Sequence, residues 1–325
     1  MTTVRAVVCP EYGTPEVLRI EHRPLPRPGD GQVRVRVRAA AANFPDVLLI
    51  AGRYQITVPP PFVPGSEFAG HITELGADCV GFAIGDRVSG TGLFGAFADE
   101  IVVPAANLTP IPEQVDDRTA AAFGVAYRTA YHALRSVARV GSGDTVIVLG
   151  AGGGVGLAAV QLGAVLGAEV IAVASTSVKL AAAAALGASR LIDYRGTELR
   201  AALREAVPDG AAAVLDPVGG DLSEPALRAL GRGGRFVTIG YASGLVPRIP
   251  LNLVLVKGVR ILGFQFRDIE PGEFERNEKE LTGLLAEGRV APHIGAVFPL
   301  EDAARALEML AAGAAVGKVL IDLNT

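Results

Sequence analysis

The sequence predicts an α/β protein in which a doubly wound parallel sheet is joined to a β-rich region. Three observations predict it. From about Thr119 onward, strand and helix patterns alternate, as βαβ units require. Before that point, short β-branched runs are broken at close intervals by Pro and Gly. Between a buried strand and a buried helix lies LGAGGGVGLAAVQL, residues 149–162, with five glycines and no charge. The 325 residues exceed what one hydrophobic core usually serves, so two domains are expected. The pattern places them at 1–122 with 263–325, and at 123–262.

The elements follow in order. VRAVVCP, QVRVRVRAAAA, AGHITELG, DRVSGTG and ADEIVVPAANLTPIP read as strands. QVRVRVR alternates strictly, so its Val residues should face a core and its Arg residues water. RTAAAFGVAYRTAYHALRSVARV is helical, and DTVIVLG after it is a buried strand. AEVIAVA, RLIDY, AAVLDPVGG and GRFVTIG then read as strands, with SVKLAAAAALGA, ELRAALREA and LSEPALRALG as the helices between them. The tail from about Gly263 returns to mixed structure, with one clear helix, LEDAARALEMLAAG, and a last strand, KVLIDL.

Composition excludes several classes. Half the residues are apolar, enough for packed cores. Thirty basic against thirty-four acidic side chains give a net charge of −4, and no Lys/Arg cluster suits a nucleic acid. Cys9 and Cys79 lie too far apart in sequence to suggest a disulfide framework, which fits a reducing, cytoplasmic compartment. MTTVRAVVCPEYG lacks the apolar run of a signal peptide. The apolar stretch 154–176 is interrupted by Gln161 and Glu169 and is dominated by Gly and Ala, so a buried helix and strand are expected there rather than a membrane span.

The glycine stretch carries the strongest functional signal. Ala151-x-Gly153-x-x-Gly156, with Gly150 before it, is a variant of G-x-G-x-x-G placed between strand and helix. A turn without Cβ atoms lets the main chain approach a pyrophosphate, and the helix N-terminus offers free N–H groups. A dinucleotide is therefore expected. An NAD site calls for Asp or Glu about 20 residues on, but the second strand ends in Ser175, Thr176 and Ser177, with Lys179 close behind. Hydroxyls and a cation accept a 2′-phosphate, so the reading is NADPH. Helix capping by Ser175 or Ser177 is a compatible role. No metal is expected: His22, His71, His132 and His293 form no ligand-spaced pair, and neither Cys stands near a His.

From end to end the chain resembles the medium-chain dehydrogenase/reductase superfamily, and within it the zinc-free quinone oxidoreductase branch, the zeta-crystallin-like proteins. The matching stretches are AANFPDVLLIAGRYQ, PFVPGSEFAG, GVAYRTAYHAL, LGAGGGVGLAAVQL, LIDYRG, LDPVGGD, GRFVTIGYASG and GKVLIDL. The resemblance implies a Rossmann domain for NADPH and a GroES-like catalytic domain. Zinc-dependent alcohol dehydrogenases of the superfamily carry Cys where Asn43 stands, Gly-His-Glu where Gly65, Ser66 and Glu67 stand, and a further ligand Cys near Val125.

The resemblance also assigns roles. Asn43 would lie beside the nicotinamide, with a turn or helix cap as its structural alternative. Tyr54 would line the acceptor site or donate a proton, with a core tyrosine as the alternative. Thr129 would lie near the cofactor, as would the turn residues Ala151, Gly152, Gly153, Gly154, Val155 and Gly156. Ser175, Lys179 and Tyr194 would hold the 2′-phosphate. Gly240, Phe264, Gln265 and Lys318 match cofactor-contacting segments, although Lys318 could equally be a surface lysine. Relatives usually have Ala at position 152, and Gly152 loosens the turn. Arg128 stands where a small residue is common, and its role stays open.

The implied reaction is zinc-independent hydride transfer from NADPH to a quinone or related conjugated carbonyl, through an apolar pocket with Asn43, Tyr54 and Gln265 as its polar groups. Two alternatives remain. One is an enoyl-thioester or 2-alkenal reductase with Tyr54 as proton donor. The other is a non-catalytic NADPH-binding module, with RNA binding disfavoured by the acidic balance. The resemblance further implies a homodimer or homotetramer formed through an edge strand, RILGF.

Overall fold

The computed structural model describes residues 2–263 and 265–323. The chain divides into two units, residues 1–125 with 294–325, and residues 126–293.

In the first unit, Thr2–Val8 pairs antiparallel with Arg19–Leu25. The main sheet runs Ile294–Pro299, Lys318–Asp322, Gln32–Ala42, Glu67–Leu75, Arg87–Thr91 and Leu108–Pro110, and Glu100–Pro104 also pairs with Gln32–Ala42. The core gathers Val33, Val35, Val37, Phe68, Phe97 and Ile321 around these strands. QVRVRVR points its Val residues inward as expected, and Arg36 is exposed. Arg34 departs from that reading. It is buried, and its guanidinium is held by Glu74 (2.9 Å) and by the carbonyl of Pro26 (3.0 Å). Thr2 (3.3 Å) also meets the guanidinium, and the charge is retained because it is paired.

In the second unit, six parallel strands lie in the order Arg190–Asp193, Glu169–Ala174, Thr145–Leu149, Ala211–Asp216, Leu230–Thr238 and Arg260–Leu262. Counted along the chain, the order reverses between the first strand, Thr145–Leu149, and the fourth, Ala211–Asp216. Ligands of open α/β sheets bind at the carboxyl ends of the strands at such a reversal. The long apolar stretch resolves into the helix Gly154–Val165 and the strand Glu169–Ala174. Among the described residues, no helix is long and apolar enough to cross a membrane.

The second unit extends to His293, past the boundary at 262 suggested by the sequence pattern. The reason is a helix, Pro271–Ala286, that the sequence reading left unassigned. It buries only Asn277, Leu281 and Leu285, so its apolar stripe is thin. Polar contacts hold it instead: the Tyr131 hydroxyl donates to Glu280 (2.7 Å), and His132 meets Glu278 (2.9 Å). The Tyr131 phenol is pushed up to about 12, by burial first and then by Glu280.

Candidate active site

Three adjacent strand ends build a buried polar cluster in the first unit. Val319 pairs with Ala42, which brings Lys318 beside Asn43, and Ala41 pairs with Glu67. Register alone therefore collects an amide, an ammonium and a carboxylate from three distant parts of the chain. The Lys318 ammonium donates to Asn43 Oδ1 (2.6 Å) and to Glu67 Oε1. Asn43 Nδ2 donates to Glu67 Oε1 (3.0 Å), to Ser66 Oγ (3.1 Å) and to the Ala41 carbonyl (3.3 Å). The second Glu67 oxygen accepts from the Val125 N–H (2.7 Å). Lys318 is 4% exposed, so it is no surface lysine.

Asp46 completes the cluster. It lies in the first turn of the helix Phe44–Ile50 and accepts the Asn43 N–H (2.7 Å) and the Ser66 hydroxyl (3.4 Å) on Oδ2. Its Oδ1 is buried with no hydrogen-bond partner among the described residues. Burial pushes the Asp46 carboxyl up to about 7, against the hydrogen bond from Asn43. Tyr54 is half-buried against the same core, and its phenol is raised by burial and by the Asp46 charge. Sequence reasoning missed Asp46 and the pairing of Glu67 with Lys318. The spacing Asn43-x-x-Asp46 before an apolar run is a helix-start pattern that could have drawn attention to Asp46.

The glycine turn of the second unit is as its spacing demands. Gly150 has φ +61°, a conformation that favours glycine. A Cβ on Gly156 would stand 2.1 Å from the Gly150 carbonyl oxygen, so the helix begins in direct contact with the turn. Gly153 precedes the helix and supplies no side-chain cap, which leaves the first-turn N–H groups for a ligand. The turn is tied to the next strand by the Ala151 N–H, which donates to the Val173 carbonyl (3.0 Å).

At the end of that strand Ser175 is buried, and Asp193 pairs with Ala174, which brings Tyr194 alongside. The cap of the helix Ser177–Ala185 is Thr176, whose hydroxyl accepts the Lys179 N–H (3.3 Å). Neither Ser175 nor Ser177 performs the capping considered for them. The Lys179 ammonium is lowered by burial and by the charge of Arg195. Thr129 is half-buried on the helix Asp117–His132, Gly240 follows the strand Leu230–Thr238, and Gln265 is exposed. Phe264 lies outside the described residues. Asp216, also missed by sequence reasoning, is fully buried at the end of its strand. It fixes the following turn by accepting from the Val218 (2.9 Å) and Gly219 (2.8 Å) N–H groups.

Arg128, whose role the sequence left open, is paired within its own unit. It meets Glu278 at 2.8 Å and lies over the rings of Phe266 and Phe274 at 5.5 and 5.6 Å.

A parallel sheet with a glycine-rich strand-to-helix turn at its order reversal, carried on one chain with a β-rich unit holding a buried polar cluster, is the arrangement of a two-unit oxidoreductase. The comparisons agree. The alcohol dehydrogenase GroES-like domain family matches residues 29–113, and the zinc-binding dehydrogenase family matches residues 154–283. Quinone oxidoreductase-like protein 2 of Bos taurus is 38% identical over 326 residues, covering 98% of this chain and 93% of its own. The crystal structure of Escherichia coli quinone oxidoreductase complexed with NADPH superposes with TM-score 0.90 at 28% identity, covering 98% of this chain and 99% of that one. The structure of an NAD-dependent alcohol dehydrogenase superposes with TM-score 0.90 at 32% identity, with the same coverage. The chain belongs to the medium-chain dehydrogenase/reductase superfamily, in its quinone oxidoreductase-like branch, and is an oxidoreductase of that family.

Proposed function

We propose that this protein transfers hydride from NADPH to quinones or related conjugated carbonyls without zinc. The observation that carries the reading is the Lys318 ammonium seated between Asn43 and Glu67. At the positions where zinc-dependent relatives bring Cys, His and Cys, this chain offers Asn43, Ser66 and the Val125 backbone, so thiolate and imidazole donors are missing from the set. A cation already fixed on Glu67 would also repel a divalent ion.

The residues of the second unit suit NADPH. The N–H groups opening the helix Gly154–Val165 would hold the pyrophosphate, and Ser175, Lys179 and Tyr194 the 2′-phosphate. When bound, NADPH supplies a hydride from C4 of its nicotinamide. A quinone accepts the resulting charge on its own oxygens. The protein then has to bind, orient and exclude water, and no strong acid/base pair is required. Asn43, held at both ends of its amide, is a rigid group for the nicotinamide side.

A second reading has an observation in its favour. Tyr54 is half-buried on the core of the first unit, close enough to Asp46 to feel its charge, which puts a phenol beside the polar cluster as a proton source for an enone or enoyl thioester. NADPH oxidation measured with 1,4-benzoquinone and phenanthrenequinone, beside crotonyl-CoA and 2-alkenals, separates the two. Tyr54→Phe should leave quinone turnover intact, whereas loss of enone turnover in that variant would assign the proton donor. Tight NADPH binding without turnover of any acceptor would support a binding module instead.

The same family reading extends to assembly as a homodimer or homotetramer. Arg260–Leu262 is the sheet edge, Ile261 on it is exposed, and Leu251, Leu255 and Val256 nearby are more than 70% exposed. Ile261→Lys should shift sedimentation toward the monomer.

A further inference from the structure

Asp46 carries a buried carboxyl that the hydride step does not use. Its two oxygens stand in different surroundings. Oδ2 accepts the Asn43 N–H (2.7 Å) and lies 3.4 Å from Ser66 Oγ. Oδ1 is buried with no partner among the described residues. Ionised, the group would leave half its charge on that unpaired oxygen, away from water. Neutral, it can keep Oδ1 as a carbonyl oxygen and carry its proton on Oδ2. The neighbouring charges do not favour ionisation. The Lys318 ammonium is engaged with Glu67 and Asn43, Glu67 opposes a second negative charge, and Tyr54 is close enough to feel that charge. Burial, the largest influence, pushes the carboxyl up to about 7. Ser66 stands between this group and a cavity of about 30 Å³, whose wall it shares with Thr91, Asn107, Phe68 and Phe94. That is room for about one water beside polar groups.

We propose that Asp46 holds the proton that each turnover consumes and delivers it through the Ser66 hydroxyl. The inference rests on the hydride-transfer reading and deepens it. A hydroxyl has one proton to give and two lone pairs to receive. Ser66 Oγ already accepts from Asn43 Nδ2 (3.1 Å). With Asp46 neutral, Oδ2 donates to Ser66 Oγ, both lone pairs are filled, and the Ser66 proton is turned toward the cavity. Hydride adds two electrons and one hydrogen to a quinone, and negative charge develops on its oxygen. The Ser66 proton moves to that oxygen, directly or across a water, while the Asp46 proton moves to Ser66 Oγ. One O–H bond breaks at Asp46, one is exchanged at Ser66 and one forms on the product. NADPH, quinone and one proton give NADP⁺ and hydroquinone, and the Asp46 carboxylate takes its next proton from water. A quinone accepts hydride without an acid, but an acid at the developing oxyanion speeds the step. Asp46 is a positioning residue, because it acts through Ser66 and does not touch the acceptor.

The test is the single-turnover rate of NADPH oxidation by 1,4-benzoquinone, followed in stopped flow across pH on the unaltered chain and three variants. Protonated Asp46 is the active form, so the unaltered rate should fall about tenfold between about pH 7 and about pH 8.5. Asp46→Asn should remove that fall and run about tenfold or more slower at about pH 6. Ser66→Ala should be slowed alike, and the double variant should be no slower than either single one, because the two groups form one chain. NADPH dissociation constants should stay within about threefold in all of them, which a general disturbance of the cluster would not allow. Infrared difference spectra give a reading independent of turnover. A protonated-carboxyl band should be present at about pH 6, absent in Asp46→Asn and retained in Ser66→Ala. Where Asp46→Asn fails to fold, Ser66→Ala and the band of the unaltered chain decide. If the unaltered chain binds NADPH but passes hydride to no quinone, the hydride-transfer reading fails and this inference with it. If quinone is reduced but Asp46→Asn keeps the fall with pH, or Ser66→Ala keeps its rate within about twofold, only the proton route is overturned. Absence of the band from the unaltered chain at about pH 6 overturns it as well.

Discussion

The two units solve opposite electrostatic problems. The β-rich unit buries ionisable side chains: Lys318, Glu67 and Asp46 are at most 4% exposed, and the cost of the Lys318–Glu67 pair is met by hydrogen bonds among groups far apart in the chain. The sheet unit builds its glycine turn from backbone with no side-chain charge at all, and all of it comes from seven consecutive residues. The first device is expensive to disturb and depends on register. The second is inexpensive, local and sensitive to a single methyl group.

The largest expected effect follows from the first device. Lys318→Met leaves Glu67 buried opposite an alkyl chain, and removal of one partner from a buried pair costs about 3–5 kcal/mol. Urea unfolding should show that loss, and adding Glu67→Gln should return a large part of it, since the uncompensated charge is then gone. A simple sum of the two single losses would break the comparison, because the cluster would not be acting as one electrostatic unit.

The second device predicts a smaller stability loss with a larger functional one. Gly156→Ala places a methyl group 2.1 Å from the Gly150 carbonyl oxygen. Overpacking of this kind costs about 1–3 kcal/mol. Affinity for a dinucleotide should fall by about tenfold or more, since both the turn and the helix start are displaced. Calorimetric titration reads the affinity and thermal unfolding reads the cost.

These contrasts also decide how much was legible in the sequence. The glycine turn, the alternation of strands and helices and the uncharged end of the second strand are short-range facts, visible within windows of about 20 residues. Lys318 and Asn43 are separated by 275 positions, and only the antiparallel pairing of two strands reveals that they touch. The burial of Arg34 was hidden for the same reason, because alternation marks a face but not which distant groups, here Thr2, Pro26 and Glu74, will meet a side chain on it. The helix Pro271–Ala286 escaped because polar contacts, rather than an apolar stripe, hold it.

Asp46 sharpens the comparison through pH. Its carboxyl titrates at about 7 in the folded chain, against about 3.9 when unfolded. The folded state therefore holds the extra proton between those values. The stability carried by protonated Asp46 is complete below about pH 4 and is lost as pH rises through about 7. Asp46→Asn has no such proton. Relative to it, the unaltered chain should lose about 1.4 kcal/mol per pH unit between about pH 5 and 7, read from urea midpoints of both proteins. A pH-independent difference would mean that Asp46 is ionised at neutral pH and that the cluster carries a second buried negative charge.

The smallest expected effect concerns a charged cluster that lies in the wrong unit for the comparison. Arg128 is paired with Glu278, whose carboxylate is held low by His132 and Arg128 against the effect of burial. His132 is fully buried and stacks on Phe274 at 4.9 Å, and Arg128 lies over the same ring. Both members of the ion pair keep more than a quarter of their side-chain surface exposed, 28% and 27%, so solvent screens the pair. Arg128→Met, which keeps much of the packing over the rings, should cost about 1 kcal/mol in thermal unfolding. Dinucleotide affinity should stay within about twofold, because the cluster fastens the helix Pro271–Ala286 and contributes nothing to the glycine turn. A loss of affinity beyond about tenfold would instead tie Phe266 and its neighbour Gln265 to the ligand through Arg128. The sheet unit would then rely on buried charge as the β-rich unit does, and the division between a backbone-made and a charge-made site would no longer hold.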